Sequence, residues 1–358
     1  MNILKYTSGR YPSMKILLLI ISAFFTSLLY AQTGGGNYFS FLNLDYNART
    51  AALGGDYITV KDRDINIGVL TPSLLNKSQN KTIGFNQALL AGGINIGMVS
   101  YGYNIEKLGM FGSYIKYVNY GKFQRTNING TTDGEFTPFE MVAGTAYAKQ
   151  LNPRISVGGS LNFVYSQFES YNAFGSYIDL SGTYTDSEDN FTITAKAKNV
   201  GFAFDRYYKN GSRAPLPADF QIATGYKIKH APFRFSLLLH HLNKWDLTYN
   251  DPNAVPTVDP LTGDTTNTNK AGFMEKLARH ILIQVEMPLG EHLHFRTAFD
   301  YQRRKELMLA SRPGIAGMSF GIGLYFKKFK LDYGFVIYSK AGYNHLITLS
   351  TDLTQWRK

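Results

Sequence analysis

From about Lys81 to its end, the chain alternates apolar and polar residues in short segments, joined by connections that switch between tight turns and long loops. The tight connections are Glu106-Lys107, Asn152-Pro153-Arg154, Asp186 to Asn190, Lys229 to Pro232, Gly290-Glu291-His292 and Lys327-Lys328. The longer ones are Gly121 to Pro138, Asn199 to Ala218, Asn243 to Arg279 and Arg303 to Ala316. Antiparallel strands that cross an outer membrane have this rhythm, with short turns on the periplasmic side and long loops outside. The alternation starts and ends on the tight side, which places both termini in the periplasm.

Fourteen strands can be marked, beginning near Thr82, Ile94, Gly109, Phe139, Ile155, Phe174, Phe191, Asp219, Phe233, Ile281, Leu293, Gly317, Phe329 and Gly342. Most run roughly nine to twelve residues, the length a tilted strand needs to cross the hydrocarbon layer. An even count suits a closed barrel. Several strands show a clear period of two. In the fifth, Ile155, Val157, Leu161, Phe163 and Tyr165 share one face, and Ser156, Gly158, Ser160, Asn162 and Ser166 the other. The twelfth sets Met318, Phe320, Ile322, Leu324 and Phe326 against Gly317, Ser319, Gly321 and Gly323. The second strand is mixed, with Ile94, Ile96 and Met98 opposite Val99, Tyr101 and Tyr103, a pattern that an apolar plug against the inner wall would explain. A soluble sandwich would turn the apolar faces inward; a barrel turns them to lipid and its charges to the lumen.

Composition supports the barrel. Tyr and Phe contribute 25 residues each and Gly 34, with only 18% charged residues, as aromatic girdles and a lipid-facing wall require. The one long apolar run, Ile16 to Leu29, is too short to span a bilayer as a helix. Lys15 before it and Ala31 after it make a secretory signal peptide over residues 1–31, with a retained anchor as the alternative; Met14 is a possible second start. With no cysteine, neither a lipoprotein anchor nor a disulfide can form. Export without either points to a Gram-negative envelope. The net charge of +11 falls to +8 when Lys5, Arg10 and Lys15 leave, and the surplus suits turns and loops beside outer-membrane lipid and anionic lipopolysaccharide. It forms no basic stripe or helix, so nucleic acid is not indicated.

Residues 32–80 do not read as barrel. Asn47-Ala48-Arg49-Thr50-Ala51-Ala52-Leu53-Gly54-Gly55-Asp56 reads as a short helix stopped by glycine, followed by Val60-Lys61-Asp62-Arg63-Asp64 and Leu70-Thr71-Pro72-Ser73-Leu74-Leu75. This order resembles the N-terminal hatch of the FadL superfamily, though Asn and Ala of its proline element are replaced here. The resemblance implies a 14-stranded barrel over 81–350, a hatch in its lumen and a short tail over 351–358. Asn119-Tyr120-Gly121-Lys122-Phe123, Asp133 to Glu140 and Ala197-Lys198-Asn199-Val200-Gly201 are similar to the FadL-like barrels of Bacteroidetes type IX secretion. His240 to Leu247, ending Tyr249-Asn250-Asp251-Pro252, is similar to their PorQ-like branch. That likeness implies a non-enzymatic barrel that anchors a soluble cell-surface protein of the cargo attachment complex, beside a sortase and a related shuttle barrel, with no cofactor. Uptake of hydrophobic small molecules, the activity of the superfamily's name, is the alternative.

Catalytic patterns fail on geometry. Gly317-Met318-Ser319-Phe320-Gly321 fits G-x-S-x-G, but the strand alternation runs straight through the turn that a nucleophile elbow needs. Ser113 and Lys116 lie three apart on a strand and face opposite sides. His292 with His294 lacks a third metal ligand, and His240 and His241 should diverge. Two groups of residues remain as candidate sites. Arg234, His294, Arg296, Asp300, Lys330 and Asp332 share the polar faces of the ninth, eleventh and thirteenth strands, as a network that holds a hatch or as the lining of a conduit. Arg296 and Asp332, two strands apart, would be bridged through the hatch. In the long segment Asn243 to Arg279, Trp245, Asp246, Tyr249, Asn250, Asp251 and Pro252 carry the aromatic and turn character of a recognition loop, with Trp245 alternatively a girdle residue.

Overall fold

The computed structural model describes residues 37–205, 214–248, 257–258, 265–266, 271–308, 314–339 and 342–356. The signal-peptide segment 1–31 and the alternative start at Met14 lie outside them. Fourteen antiparallel strands close into one barrel. They are β1 (Thr82–Leu89), β2 (Asn95–Ile105), β3 (Gly109–Asn119), β4 (Phe139–Asn152), β5 (Ile155–Phe168), β6 (Tyr171–Thr185), β7 (Phe191–Ala203), β8 (Asp219–Lys227), β9 (Arg234–Leu239), β10 (Ile281–Leu289), β11 (Leu293–Asp300), β12 (Met318–Tyr325), β13 (Phe329–Ser339) and β14 (Gly342–Asp352). Closure comes from β1 pairing with β14, from Thr82 opposite Asp352 to Leu89 opposite His345. The circular pairing leaves no open edge strand, which is the condition for strands to sit in lipid.

The faces are inverted relative to a soluble sandwich. On β5, Leu161 and Phe163 are exposed on the outer wall, while Asn162 and Ser166 are fully buried inside. Strand lengths depart from the uniform expectation. β4 to β7 run 13 to 15 residues, whereas β9 has six. The sixth strand starts at Tyr171 rather than Phe174, because Glu169, at φ 53°, turns the chain at once and the β5–β6 ladder continues to Phe168 opposite Tyr171. The connections at that end are therefore not all long: β1–β2, β5–β6 and β13–β14 are also short. The longer Gly121–Pro138 connection carries its own hairpin, Phe123–Thr126 with Thr132–Phe136. The chain enters β1 and leaves β14 at the tight-turn end.

The N-terminal segment folds inside the barrel. Helix α1 (Ala48–Ala52) starts at Asn47, whose side chain accepts from the Thr50 amide, and stops where Gly54 and Gly55 take φ of 85° and 118°. Helix α2 (Ile65–Leu70) is capped by Asp64, and a 3-10 turn over Pro72–Leu74 follows. α1 lies against glycine. A Cβ on Gly334 would stand 2.5 Å from the Ala48 carbonyl oxygen, and one on Gly321 would collide with the Ala52 methyl. The bare polar faces of β12 and β13 are thus a seat for an alanine helix.

The opposite flank of the hatch is apolar. Phe41, Leu42, Tyr46, Ile65 and Val69 pack with Ile96, Met98, Val118, Val142 and Val164 of the wall. This explains the mixed second strand: Ile96 and Met98 meet the hatch while Val99 and Tyr101 face outward. Each such fully buried aliphatic side chain contributes about 1.5–3 kcal/mol relative to a water-filled lumen.

Candidate functional site: the charged seam between hatch and wall

Where the hatch is not apolar it is ionic, and the hub is Glu286. Leu282, Gln284 and Glu286 alternate inward along β10, and Glu286 is fully buried. Arg49 of α1 grips it with both ends of its guanidinium, Nε to Oε1 at 2.9 Å and Nη2 to Oε2 at 2.9 Å. Arg296 donates from Nε to Oε1 at 2.9 Å, and Arg234 from Nη1 to Oε2 at 3.3 Å. The Tyr57 hydroxyl completes the shell at 3.3 Å. Arg49 also reaches Asp62 at 2.7 Å and Asp64 at 3.4 Å. Burial pushes the Asp64 carboxyl upward; Arg49 opposes that and the neighbouring Asp62 adds to it.

Arg296 extends the chain to Asp332 at 2.6 Å and to the Tyr325 hydroxyl at 2.7 Å. The bridge is direct, correcting the expectation that these groups meet through the hatch. It crosses β12 at Gly323, where a Cβ would stand 2.6 Å from the Asp332 carboxylate and 2.7 Å from the Arg296 guanidinium. Of the six lumen residues marked in the sequence, Arg234, Arg296 and Asp332 thus meet in one network. His294 stands beside it, Nδ1 3.9 Å from Glu286, with its ring against Tyr325. Lys330 lies over the other partner of that ring, its Nζ 4.7 Å from the Tyr325 centroid. Asp300 is separate: it caps helix α4 (Tyr301–Leu307; α3 is Phe273–Ala278), accepting from the Arg303 amide at 3.0 Å.

A second ionic tie lies across the lumen. Asp56 accepts from Lys196 at 3.0 Å, Lys198 at 2.9 Å and Gln221 at 2.9 Å. Burial opposes ionisation of Asp56, but the two lysines and the amide outweigh it and hold the carboxyl well below its usual range. Gln284 donates to the Leu53 and Asp56 carbonyls at 2.6 Å each, and Ser73 bonds Thr183 at 2.7 Å. Glu286 and Lys196 carry no signal of their own in the sequence, and Arg49, Asp56 and Lys198 stand there only as parts of the resemblance motifs, not as charges that pair. A signal lies only in their surroundings, since Ala195-Lys196-Ala197-Lys198 and Ile283-Gln284-Val285-Glu286 both alternate.

In the long segment, the Trp245 ring packs 5.5 Å from His280 and 5.3 Å from Phe273 of α3, while its own edge stays exposed. Asp246 pairs with Lys276 at 2.6 Å and accepts from the Thr248 amide at 3.0 Å; these bonds hold its carboxyl far below the usual range. Phe273 and Met274 are exposed beside them. Tyr249, Asn250, Asp251 and Pro252 lie outside the described residues. His240 and His241 do not diverge: their rings are 4.7 Å apart, because the strand ends at Leu239 and His241 takes φ 55°. His241 Nδ1 is 3.3 Å from Asp219, and no metal-binding cluster occurs among the described residues. Ser319 is a buried inward strand residue. Ser113 bonds Thr145, and Lys116 on the other face sits between the rings of Tyr46 and Tyr114.

A closed 14-stranded barrel with an apolar outer wall and a hatch in its lumen has the FadL-like fold of outer-membrane β-barrels. Among the solved structures that share that fold are two channel proteins. One is the toluene transporter TbuX of Ralstonia pickettii, at TM-score 0.50 and 11% identity, covering 87% of this chain and 99% of that one. The other is a deletion mutant of the monoaromatic hydrocarbon channel TodX, at TM-score 0.50 and 13% identity, covering 86% and 99%. No protein-family model matches the chain, and no curated protein matches it in sequence.

Proposed function

We propose that this barrel is a non-enzymatic component of the type IX secretion system that anchors a soluble protein of the cargo attachment complex at the cell surface, beside a sortase and a related shuttle barrel. The observation that carries the reading is how closely the hatch packs against the wall among the described residues. One cavity beside the hatch, among Tyr46, Asp56, Lys116, Lys196 and Lys198, measures about 30 Å³ and is charged. A dry cavity of about 150 Å³ lined by apolar side chains is what takes up a benzene ring. A plug held by buried ion pairs on one flank and apolar packing on the other suits a rigid anchor better than a conduit. The segment around Trp245, with Phe273 and Met274 exposed next to it, offers the apolar surface that protein recognition uses.

The test is deletion of Pro252 to Lys270. Under this reading the barrel still assembles, the soluble partner leaves the cell surface, and cargo accumulates unprocessed or appears in the medium. Normal attachment with a well-folded deletion variant refutes this loop as the anchor and directs attention to Gly121–Pro138 or 199–218. The second reading, transport of hydrophobic small molecules, draws on the shared fold of the toluene transporter and the hydrocarbon channel. It requires the same deletion to change hydrocarbon uptake and leave cargo attached.

A further inference from the structure

At the tight-turn end, a cavity of about 70 Å³ opens where the hatch meets the wall. That is several times the roughly 10–15 Å³ one water needs. Arg63 and Ser78 of the hatch, the β12–β13 turn with Lys327 and Lys328, Lys330 of β13, and Asp352 and Gln355 at the end of the chain all line it. None of the four cations makes an ion pair within 4.0 Å among the described residues, although Lys330, over the Tyr325 ring, borders the paired charges of the lumen. The one carboxylate of the lining, Asp352, accepts through Oδ1 from the Thr354 amide at 2.8 Å and from its hydroxyl at 2.6 Å.

The walls are built. Thr351 donates to the Lys328 carbonyl at 2.7 Å and accepts from the Trp356 indole at 2.8 Å. Lys328 Nζ then lies 4.6 Å over the Trp356 ring. Phe326, Phe329 and Trp356 are exposed alongside. Aromatic residues in that position mark the level of the lipid headgroups. One further atom narrows the ligand. Gln355 Oε1 is buried and accepts no hydrogen bond among the described residues, so a donor next to the anion would satisfy it.

We propose that this pocket binds the phosphodiester headgroup of a membrane phospholipid, one whose headgroup carries a hydrogen-bond donor, and so ties the hatch to the wall. Ammonium and guanidinium groups around one cavity match the oxygens of a phosphodiester. The ethanolamine ammonium or a glycerol hydroxyl supplies the donor for Gln355.

The test uses the full mature chain, delipidated in detergent and phosphate-free buffer. Native mass spectrometry follows titration with dihexanoyl-phosphatidylethanolamine, and inorganic phosphate is titrated in parallel. The expected result is one bound lipid, at concentrations where inorganic phosphate shows no binding. The Lys327→Gln/Lys328→Gln variant should bind it about tenfold more weakly, a loss of about 1.4 kcal/mol, and Lys327→Arg/Lys328→Arg should retain it. Both pairs lie in an exposed turn, and an unchanged heat shift on a gel confirms that the barrel folds. Equal lipid binding by the glutamine variant overturns the site. Saturation by inorganic phosphate at the same concentrations as the lipid overturns the headgroup as its ligand.

Discussion

Replacing Arg49 should loosen the hatch more than replacing the residue it grips. The ionic seam holds three arginines, Arg49, Arg234 and Arg296, against four carboxylates, Asp62, Asp64, Glu286 and Asp332. Arg49→Met leaves two cations facing four anions, with Asp64 buried and stripped of its partner. Breaking a buried pair in this way costs about 3–5 kcal/mol. Glu286→Gln leaves three against three, keeps the shape and still accepts a hydrogen bond. Its cost is that of weakened charge-assisted bonds, about 1.5–3 kcal/mol. Arg296 keeps Asp332 throughout. The double variant should cost less than the two singles together, by about 0.5–3 kcal/mol. The assay is the temperature midpoint of heat-modifiability on a gel, with calorimetry for the energies. Additivity within about 0.5 kcal/mol, or a loss below about 1 kcal/mol for Arg49→Met, would show a solvated and uncoupled seam.

Gly323→Ala should break the Arg296–Asp332 bridge because its methyl has no room, whereas Gly182→Ala, where nothing lies within 4 Å, should leave the melting midpoint unchanged. Equal midpoints would contradict the crossing geometry. The depressed Asp56 carboxyl gives stability that is fully present above its unfolded pKa of about 3.9 and is lost as pH falls towards the folded value. The stability gap between the native chain and Asp56→Asn should therefore be constant from pH 7 to about pH 5 and shrink below about pH 4; a gap that widens on acidification would reverse the argument. In planar bilayers the native barrel should conduct little, and Arg49→Met/Glu286→Gln should raise the conductance or its noise. A large steady conductance of the native protein would mean that the hatch does not seal.

The strands were legible because period-two alternation is local, and the fourteen starting points fall within three residues of those in the fold. The helix stop at Gly54-Gly55 was legible for the same reason, since the positive φ it needs is a property of those two residues. The hub was not. Arg49 and Glu286 are 237 positions apart, and nothing in an alanine-rich helix announces that its arginine will be the counter-charge of a strand carboxylate. The Arg296–Asp332 bridge shows a subtler failure. Alternation puts Gly323 on the inward face of β12, but it does not mark that glycine as the gap through which two neighbours meet. His241 marks the limit of alternation itself, which holds only while the ladder continues.

The central claim is a plugged barrel that holds a protein rather than passing a small molecule. Its most direct measurement is the composition of the barrel purified gently from native outer membranes. The account predicts one soluble surface protein in near-equimolar amount, absent when Pro252 to Lys270 is deleted. A barrel recovered alone, with a hydrophobic compound in its lumen and Arg49 detached from Glu286, would contradict it.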